Sequence, residues 1–225
     1  MKIGLLSTIN NPMIGLYLKK ISKIHEVDCV IFDSKIESEK DLIIWEERTK
    51  GKVPVINLYD TNILVPFYFV KSHSSQYVNN LINQRDISLL INCGTPRIIK
   101  KELIEELEIG ILNCHPGLLP NYRGCSCVEW ALYNGDEVGN TCHLMTSKVD
   151  EGPIIYISKI DINSLNNYQS IRTKVYQDSI TSIIEAISII KRGEYNKLDY
   201  PQNGKYYKPI SSDKMQIIYN QFGSL

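Results

Sequence analysis

The sequence has neither a surplus of one charge nor a long apolar run. It contains 25 Lys and Arg against 25 Asp and Glu in 225 residues, so its formal net charge at pH 7 is zero. Proteins that bind nucleic acid usually carry an excess of basic residues, and we therefore expect no nucleic-acid partner. The sequence has no run of about 18 apolar residues and no apolar core typical of a secretory signal, so we predict a cytoplasmic protein that does not bind membranes.

Cysteine occurs in a pattern that matches neither a zinc site nor a disulfide framework. Six cysteines are spread along the chain, and without an export signal we expect them to be reduced thiols. Cys125 and Cys127 are separated by one residue, which is too close for a zinc knuckle, and no second pair follows at zinc-finger spacing. A nucleophilic Cys114 activated by His115 is disfavoured, because adjacent strand residues point to opposite faces. We predict no bound metal.

Short β-branched stretches alternate with segments of helical period, the pattern of parallel strands linked by helices. The predicted strands are 2–6, 27–32, 53–56, 87–92 and 110–114, followed by strand-like segments 141–149 and 153–162 around a turn at 150–152. The predicted helices are 13–24, 75–84, 99–107, 126–135 and 167–192. We predict an α/β fold over residues 1–192, with a Rossmann-like, mostly parallel twisted sheet and flanking helices. Residues 193–225 are predicted to be a C-terminal extension that forms a β-hairpin used in dimerisation.

Local motifs predict where two of these helices begin or end. Gly110 is expected to terminate the helix that starts near Ile99. Ser126 and Glu129 have the spacing of a capping box at the start of the next helix, which Gly135 is expected to end.

Two polar residues lie at the carboxyl end of the strand 110–114 and just beyond it. Side chains alternate along a strand, so Asn113 and His115 share one face. Ligands of open parallel sheets bind at this end of the strands. Taken alone, the dipeptide pattern also fits an asparagine that caps a turn and a hydrogen-bonded histidine at a strand end.

Three longer motifs in order resemble the folate-dependent formyltransferases. They are "NCHPGLLPNYRG" (113–124), "EWALYNGDEVGNTCHLM" (129–145) and "VDEGPII" (149–155), and the resemblance in motif detail covers about 87–156. It implies a nucleotide-binding-like fold and an enzyme that uses 10-formyltetrahydrofolate as formyl donor. The resemblance is strongest to the short N-formyltransferases that act on nucleotide-linked amino sugars.

The resemblance implies that Asn113, His115 and Asp150 are the catalytic residues. An amine attacks the formyl carbon in this chemistry, and a tetrahedral oxyanion forms. Asn113 and a protonated His115 are suited to donate hydrogen bonds to that oxygen. Asp150 could hold His115 in its charged form or collect the proton that the amine loses. The other interpretation of Asp150 is an ordinary Asp-Glu-Gly turn.

The resemblance also places a pterin-binding loop at 94–100, with the 147–152 turn opposite. The implied folate-binding residues are Leu90, Pro96, Arg97, Ile98, Ile99, Val149 and Glu151. His143 falls on a family position and is interpreted as structural. Family members commonly have Ser at the position of Gly117 and Pro at the positions of Cys125 and Cys127, and the role of these two cysteines stays open.

The acceptor amine is predicted from what the sequence does not contain. The loop after the first strand, "STINNPMIG" (7–15), lacks the glycine-rich phosphate loop of glycinamide ribonucleotide formyltransferases. The neutral charge and the short C-terminal part disfavour methionyl-tRNA. We therefore expect a nucleotide-linked amino sugar, such as a dTDP-linked 4-amino-4,6-dideoxyhexose used for surface polysaccharide, and a homodimeric enzyme. Candidate contacts to this acceptor are Asn10, Asn11, Lys71, His73, Tyr122 and Arg123.

Two alternatives remain open at this point. One is another folate-dependent reaction, such as formyl transfer to glycinamide ribonucleotide or hydrolysis of the formyl group. The other is a non-catalytic module that binds folate or a sugar nucleotide.

Overall fold

The computed structural model describes residues 1–196 and 203–224. The chain divides into two compact units. Unit 1 comprises 1–41, 54–113 and 144–147, and unit 2 comprises 42–53, 114–143 and 148–225.

Unit 1 contains a parallel sheet and the helices that connect its strands. In chain order the elements are β1 (Lys2–Thr8), α1 (Ile14–Ile21), β2 (Val27–Asp33), α2 (Glu39–Thr49, most of which lies in unit 2), β3 (Phe67–Val70), α3 (Gln76–Arg85), β4 (Ile87–Asn92), α4 (Lys101–Glu106) and β5 (Gly110–His115). The strand order is β3-β2-β1-β4-β5, and every neighbouring pair is parallel. The register pairs Asn92 of β4 with Asn113 of β5, so two asparagines lie side by side at the carboxyl ends of these strands.

Helices α3 and α4 cover one face of this sheet, and the apolar cluster between the sheet and these helices is one part of the core of unit 1. It includes Leu6, Ile31, Leu90 and Ile111 from the strands and Leu81 from α3, all buried. Continuous apolar strands such as β4 are expected in a sheet that is covered on both faces, and β4 has the predicted bounds 87–92.

The predicted strand 53–56 is wrong. The third strand of the sheet is Phe67–Val70, which pairs with β2. Pro54 cannot donate to a strand ladder, and the carbonyl of Ile56 instead lies against Gly15 of α1, where a Cβ would not fit. The end of α4 also differs from the prediction, because the helix stops at Glu106 and Gly110 begins β5.

Besides most of α2, the described part of unit 2 contains the strands and helices that follow β5. They are β6 (Arg123–Gly124), α5 (Cys127–Asn134), β7 (Val138–Leu144), β8 (Ile154–Ile160), α6 (Tyr168–Arg192), β9 (Tyr206–Tyr207) and α7 (Ser212–Phe222). β7 and β8 are antiparallel, and β6 pairs in parallel with β9. β7 ends at Leu144, so residues 145–149, predicted as strand, lie outside it.

The described part of the C-terminal extension packs inside unit 2. Trp130 Nε1 donates to the carbonyl of Lys208 at 2.9 Å, and the ring of Tyr207 stacks on that of Tyr122 with 5.1 Å between centroids. A short strand and α7 occupy 203–224, while residues 197–202 lie outside the described part. The predicted β-hairpin is not found in the described residues of the extension, where β9 pairs in parallel with β6 and a helix follows. Dimerisation through this extension stays a prediction.

The predicted capping box is wrong. Ser126 does precede α5, but its side chain makes no cap hydrogen bond. Glu129 is buried instead, with Oε1 3.3 Å from Arg48 Nε and 3.5 Å from Arg172 Nε, and it accepts a 2.6 Å hydrogen bond from Tyr168. Burial opposes the charge on Glu129, but the two guanidinium groups and Tyr168 outweigh it and lower its pKa to about 2. Glu129 therefore joins α5, α6 and the segment 42–53 within unit 2.

The predicted fold class is confirmed. Five parallel strands, one antiparallel pair and the helices between them form an α/β fold with a mostly parallel sheet. The helix predicted at 167–192 is Tyr168–Arg192, and Gly135 ends α5 in the left-handed conformation, as expected. Within 1–196 and 203–224, no helix has the length and apolar character that a membrane span requires.

Candidate active site

His115 is the last residue of β5 and is 4% exposed. Its ring has a partner on each nitrogen. Nε2 lies 2.7 Å from the carbonyl oxygen of Tyr122, and Nδ1 lies 3.5 Å from Oδ2 of Asp150. Because a carbonyl only accepts, Nε2 must carry the hydrogen of this bond. A proton on Nδ1 would therefore make the ring a cation beside the carboxylate of Asp150.

The surroundings of His115 act on the charge of its ring. Burial lowers the pKa of His115 below its ordinary value of 6.5, and the opposing effects of Asp150 and of the Tyr122 carbonyl are smaller. Burial therefore favours the neutral ring, with Nδ1 unprotonated. The protonated His115 expected from the sequence would then form only after the ring accepts a proton at Nδ1.

Asp150 lies in the turn between β7 and β8, with a left-handed backbone (φ 54°). Its Oδ2 accepts a 2.8 Å hydrogen bond from the backbone N–H of Gly124 and faces His115. Its Oδ1 lies 3.8 Å from Nε2 of His143, a buried residue of β7. The carboxylate thus lies between two imidazoles, and the structure brings together the predicted residues His115 and Asp150.

Gly117 allows the chain to fold closely around His115. A Cβ at this position would lie 2.8 Å from His115 Nε2, 2.9 Å from the Tyr122 carbonyl and 2.8 Å from the Cβ of Cys127. Any side chain here would therefore have to displace the histidine or its carbonyl partner. Gly117 and Cys127, which form this close contact, are two of the positions at which the sequence departs from the family pattern.

Asn113 belongs to unit 1, two residues before His115 on the same strand. Its Oδ1 accepts a 2.9 Å hydrogen bond from Asn92 Nδ2. This bond fixes the orientation of the amide, so the NH₂ group of Asn113 is held away from Asn92. Alternation along β5 puts this side chain on the same face of the strand as that of His115.

The predicted pterin-binding residues of unit 1 have different surroundings. Ile98 is 85% exposed, whereas Leu90 and Ile99 are buried in the core. The carbonyl of Pro96 accepts a hydrogen bond from Lys35, and Arg97 pairs with buried Asp33 at 3.0 Å. Among Leu90, Ile98 and Ile99, Ile98 is the one whose side chain presents a surface to which a ring could bind.

The two predicted folate-binding residues of unit 2 flank Asp150 in the chain. Val149 is exposed, and its carbonyl accepts a 3.0 Å hydrogen bond from Arg123 Nη2. The carboxylate of Glu151 forms an ion pair with the same guanidinium.

Most of the predicted acceptor-binding residues of unit 1 bind their own chain. Asn10 is hydrogen-bonded to both backbone groups of Glu37, and Asn11 Nδ2 donates to the Cys93 carbonyl at 2.6 Å. His73 is buried, with Nε2 2.9 Å from the Ile31 carbonyl and Nδ1 3.8 Å from Asp33. Lys71 is exposed at the surface.

Tyr122 and Arg123, the other two predicted acceptor contacts, lie beside the His115–Asp150 pair. The hydroxyl of Tyr122 donates to Asp136, and its ring lines a cavity of about 380 Å³ together with Tyr207 and Lys205. Only the backbone carbonyl of Tyr122 reaches His115. Sequence reasoning missed this carbonyl and the N–H of Gly124, and the "YRG" part of the motif was the available indication that this segment matters.

No group of three or more His, Cys, Asp or Glu side chains suited to a metal ion occurs in the part of the chain that the structure describes. The expectation of a metal-independent protein stays a prediction.

Comparison with known proteins agrees with the motifs and the fold. The family model described as formyl transferase matches residues 33–187. The chain therefore belongs to the formyl transferase family, and the predicted resemblance to folate-dependent formyltransferases is confirmed at the level of the family.

Individual relatives differ in the acceptor that their names indicate. Methionyl-tRNA formyltransferase of Borrelia duttonii (strain Ly) is 32% identical over 143 residues, which are 63% of this chain and 46% of that protein. The chain thus spans about half the length of this curated relative. A 4-N formyltransferase from Francisella tularensis is similar in structure, with a TM-score of 0.64, 21% identity and coverage of 93% of this chain and 76% of that chain. Glycinamide ribonucleotide transformylase 1 from Symbiobacterium toebii has a TM-score of 0.62, 22% identity and coverage of 86% and 88%. These two similarities establish the fold.

Proposed function

We propose that the chain transfers the formyl group of 10-formyltetrahydrofolate to the amine of a nucleotide-linked amino sugar. A dTDP-linked 4-amino-4,6-dideoxyhexose destined for surface polysaccharide is the proposed acceptor. The observation that carries the proposal is the buried His115–Asp150 pair at the end of β5, in a chain of the formyl transferase family. A buried imidazole with one nitrogen fixed by a carbonyl and the other facing a carboxylate is arranged for proton transfer.

In the proposed reaction, the neutral amine attacks the formyl carbon and the formyl oxygen becomes an oxyanion. The NH₂ group of Asn113 donates a hydrogen bond to this oxygen, an interaction worth about 3–4 kcal/mol in the transition state. The attacking nitrogen now bears a positive charge and gives one proton to Nδ1 of neutral His115.

The second half of the reaction returns that proton. The imidazolium formed on His115 is stabilised by Asp150, whose Oδ2 lies 3.5 Å from Nδ1. When the intermediate collapses, the bond between the formyl carbon and N10 of the folate breaks, and N10 receives the proton from His115. The products are the N-formylated sugar and tetrahydrofolate, and His115 is neutral again.

The charge of the chain supports a small acceptor. With 25 basic and 25 acidic residues, the chain has no basic surplus to attract a tRNA.

The second candidate is formyl transfer to methionyl-tRNA, favoured by the 32% identity to a methionyl-tRNA formyltransferase over 143 residues.

A panel of acceptors tests the proposal. The protein is incubated with 10-formyltetrahydrofolate and, separately, with several nucleotide-linked amino sugars, glycinamide ribonucleotide, methionyl-tRNA or no amine. Mass spectrometry should detect the gain of one formyl group on an amino sugar, and His115→Asn should abolish that gain. Formylation of methionyl-tRNA or glycinamide ribonucleotide alone would refute the acceptor, and equal loss of the donor without any amine would indicate hydrolysis. Tight folate binding without turnover would indicate a binding module.

A further inference from the structure

The segment Tyr122–Gly124 contacts both members of the His115–Asp150 pair. The carbonyl of Tyr122 accepts from His115 Nε2, and the N–H of Gly124 donates to Asp150 Oδ2. Arg123 lies between them, and its side chain binds the turn that contains Asp150. Its guanidinium does not reach Asp150 but binds the residue on either side of it.

Arg123 holds the turn at two points. Its Nη2 donates to the Val149 carbonyl at 3.0 Å and pairs with the carboxylate of Glu151. Its side chain is 16% exposed and that of Glu151 is 29% exposed, so this pair is screened less than one at the surface. Lys148 also lies 3.4 Å from Glu151, but its side chain is 76% exposed. The half-buried guanidinium of Arg123 should therefore contribute more to holding Glu151 than the exposed Lys148 does.

The turn needs such support because of the conformation of Asp150. A residue other than glycine in the left-handed region costs about 1–2 kcal/mol, and surrounding contacts must compensate for that cost. Contacts on Val149 and Glu151 constrain the backbone before and after the strained residue. Without them the turn could relax, and Asp150 Oδ2 would move away from His115 Nδ1.

We propose that Arg123 is a positioning residue that holds the turn 149–151 and thereby keeps the carboxylate of Asp150 against His115. This assignment replaces the predicted role of Arg123 as a contact to the acceptor, because its guanidinium is bound to Val149 and Glu151. Its consequence for catalysis rests on the proposed function, whereas its consequence for the geometry of the pair does not.

The test measures the pKa of His115 by NMR titration of the imidazole resonances, assigned with the His115→Asn variant. Arg123→Met should lower the pKa of His115 by about one unit, because the carboxylate that favours the charged ring moves away. Glu151→Gln breaks the same pair from the other side and should shift the pKa in the same direction. Lys148→Met is the matched control, since it removes the exposed partner of Glu151, and it should leave the pKa unchanged.

Kinetics then separate positioning from acceptor binding. Arg123→Met and Glu151→Gln should lower kcat by about tenfold to a hundredfold, as small displacements of catalytic groups do, with the KM of the amine unchanged. An unchanged His115 pKa in Glu151→Gln, or a raised KM with unchanged kcat in Arg123→Met, would overturn the proposal. If Arg123→Met does not fold, Glu151→Gln alone decides. If wild type transfers no formyl group to any acceptor, the proposed function fails while the NMR titration still tests the positioning role.

Discussion

Replacing Glu129 by Gln should destabilise the protein strongly, although the change lies outside the proposed catalytic residues. Glu129 is 1% exposed and is the carboxylate that Arg48 and Arg172 share. Glutamine keeps the shape and can still accept from Tyr168, but it leaves buried Arg172 without an opposite charge. Removing one partner of a buried ion pair costs about 3–5 kcal/mol.

The pKa of Glu129 gives a second estimate of this loss of unfolding free energy. A carboxyl group whose pKa falls from 4.5 in the unfolded chain to about 2 in the fold stabilises the folded state by about 3 kcal/mol at neutral pH. Because the folded-state pKa is the lower one, this stabilisation is fully present above pH 4.5. It is lost as the pH falls from 4.5 toward 2.

Urea unfolding of wild type and Glu129→Gln at pH 7 and at successively lower pH measures both effects. The difference in unfolding free energy should be about 3 kcal/mol at pH 7 and should shrink below pH 4.5. Glu137→Gln is the control, because Glu137 pairs with Lys159 but its side chain is 65% exposed, and it should cost less than about 1 kcal/mol. A loss below about 1 kcal/mol in Glu129→Gln, or a difference that does not depend on pH, would refute the reasoning.

Three further predictions follow from the site. Asp150→Asn should lower the pKa of His115, because the charge that favours the imidazolium is gone. The acid limb of the pH profile of the rate should therefore move to lower pH, and an unmoved limb would contradict the pairing of His115 with Asp150. Gly117→Ser should destabilise the fold by about 1–3 kcal/mol in urea unfolding, since the Cβ of the serine would lie 2.8 Å from both His115 Nε2 and Cys127 Cβ. An unchanged unfolding midpoint would contradict the close packing around Gly117. Treatment with a chelator should leave formyl transfer unchanged, and a loss that zinc restores would show that a metal takes part.

The sheet of unit 1 was largely predictable because its strands are read from local patterns. The apolar stretches of β1, β2 and β4 are buried from end to end apart from a few terminal or single positions, so these strands appear in the sequence as continuous apolar runs. The third strand was not predictable in the same way. "VPVI" has the composition of a strand, but Pro54 and the close contact of Ile56 with Gly15 decide otherwise.

Glu129 shows why local motifs fail where distant partners compete. Ser126 and Glu129 have capping-box spacing, yet the carboxylate binds Arg48 and Arg172, which come from distant parts of the sequence. The guanidinium groups of buried Arg172 and half-buried Arg48 attract a carboxylate more strongly than one backbone N–H does. No pattern within a few residues of Glu129 could have indicated this.

The candidate site was predictable in its side chains but not in its backbone contacts. The motifs pointed to His115 and Asp150, which the structure places 3.5 Å apart. Every residue has a carbonyl and nearly every residue an N–H, so the partners supplied by Tyr122 and Gly124 could not be chosen from the sequence. The lowered pKa of His115 also depends on burial, which emerges only from the fold.

The most direct test of the account compares formyl transfer by wild type and by His115→Asn, with 10-formyltetrahydrofolate and the acceptor that the panel identifies. Circular dichroism and urea unfolding must first show that the variant is folded. We predict that kcat falls by at least about a hundredfold, because the group that accepts and returns the proton is gone. A folded variant that retains more than about a tenth of the wild-type rate would contradict the central role of the His115–Asp150 pair.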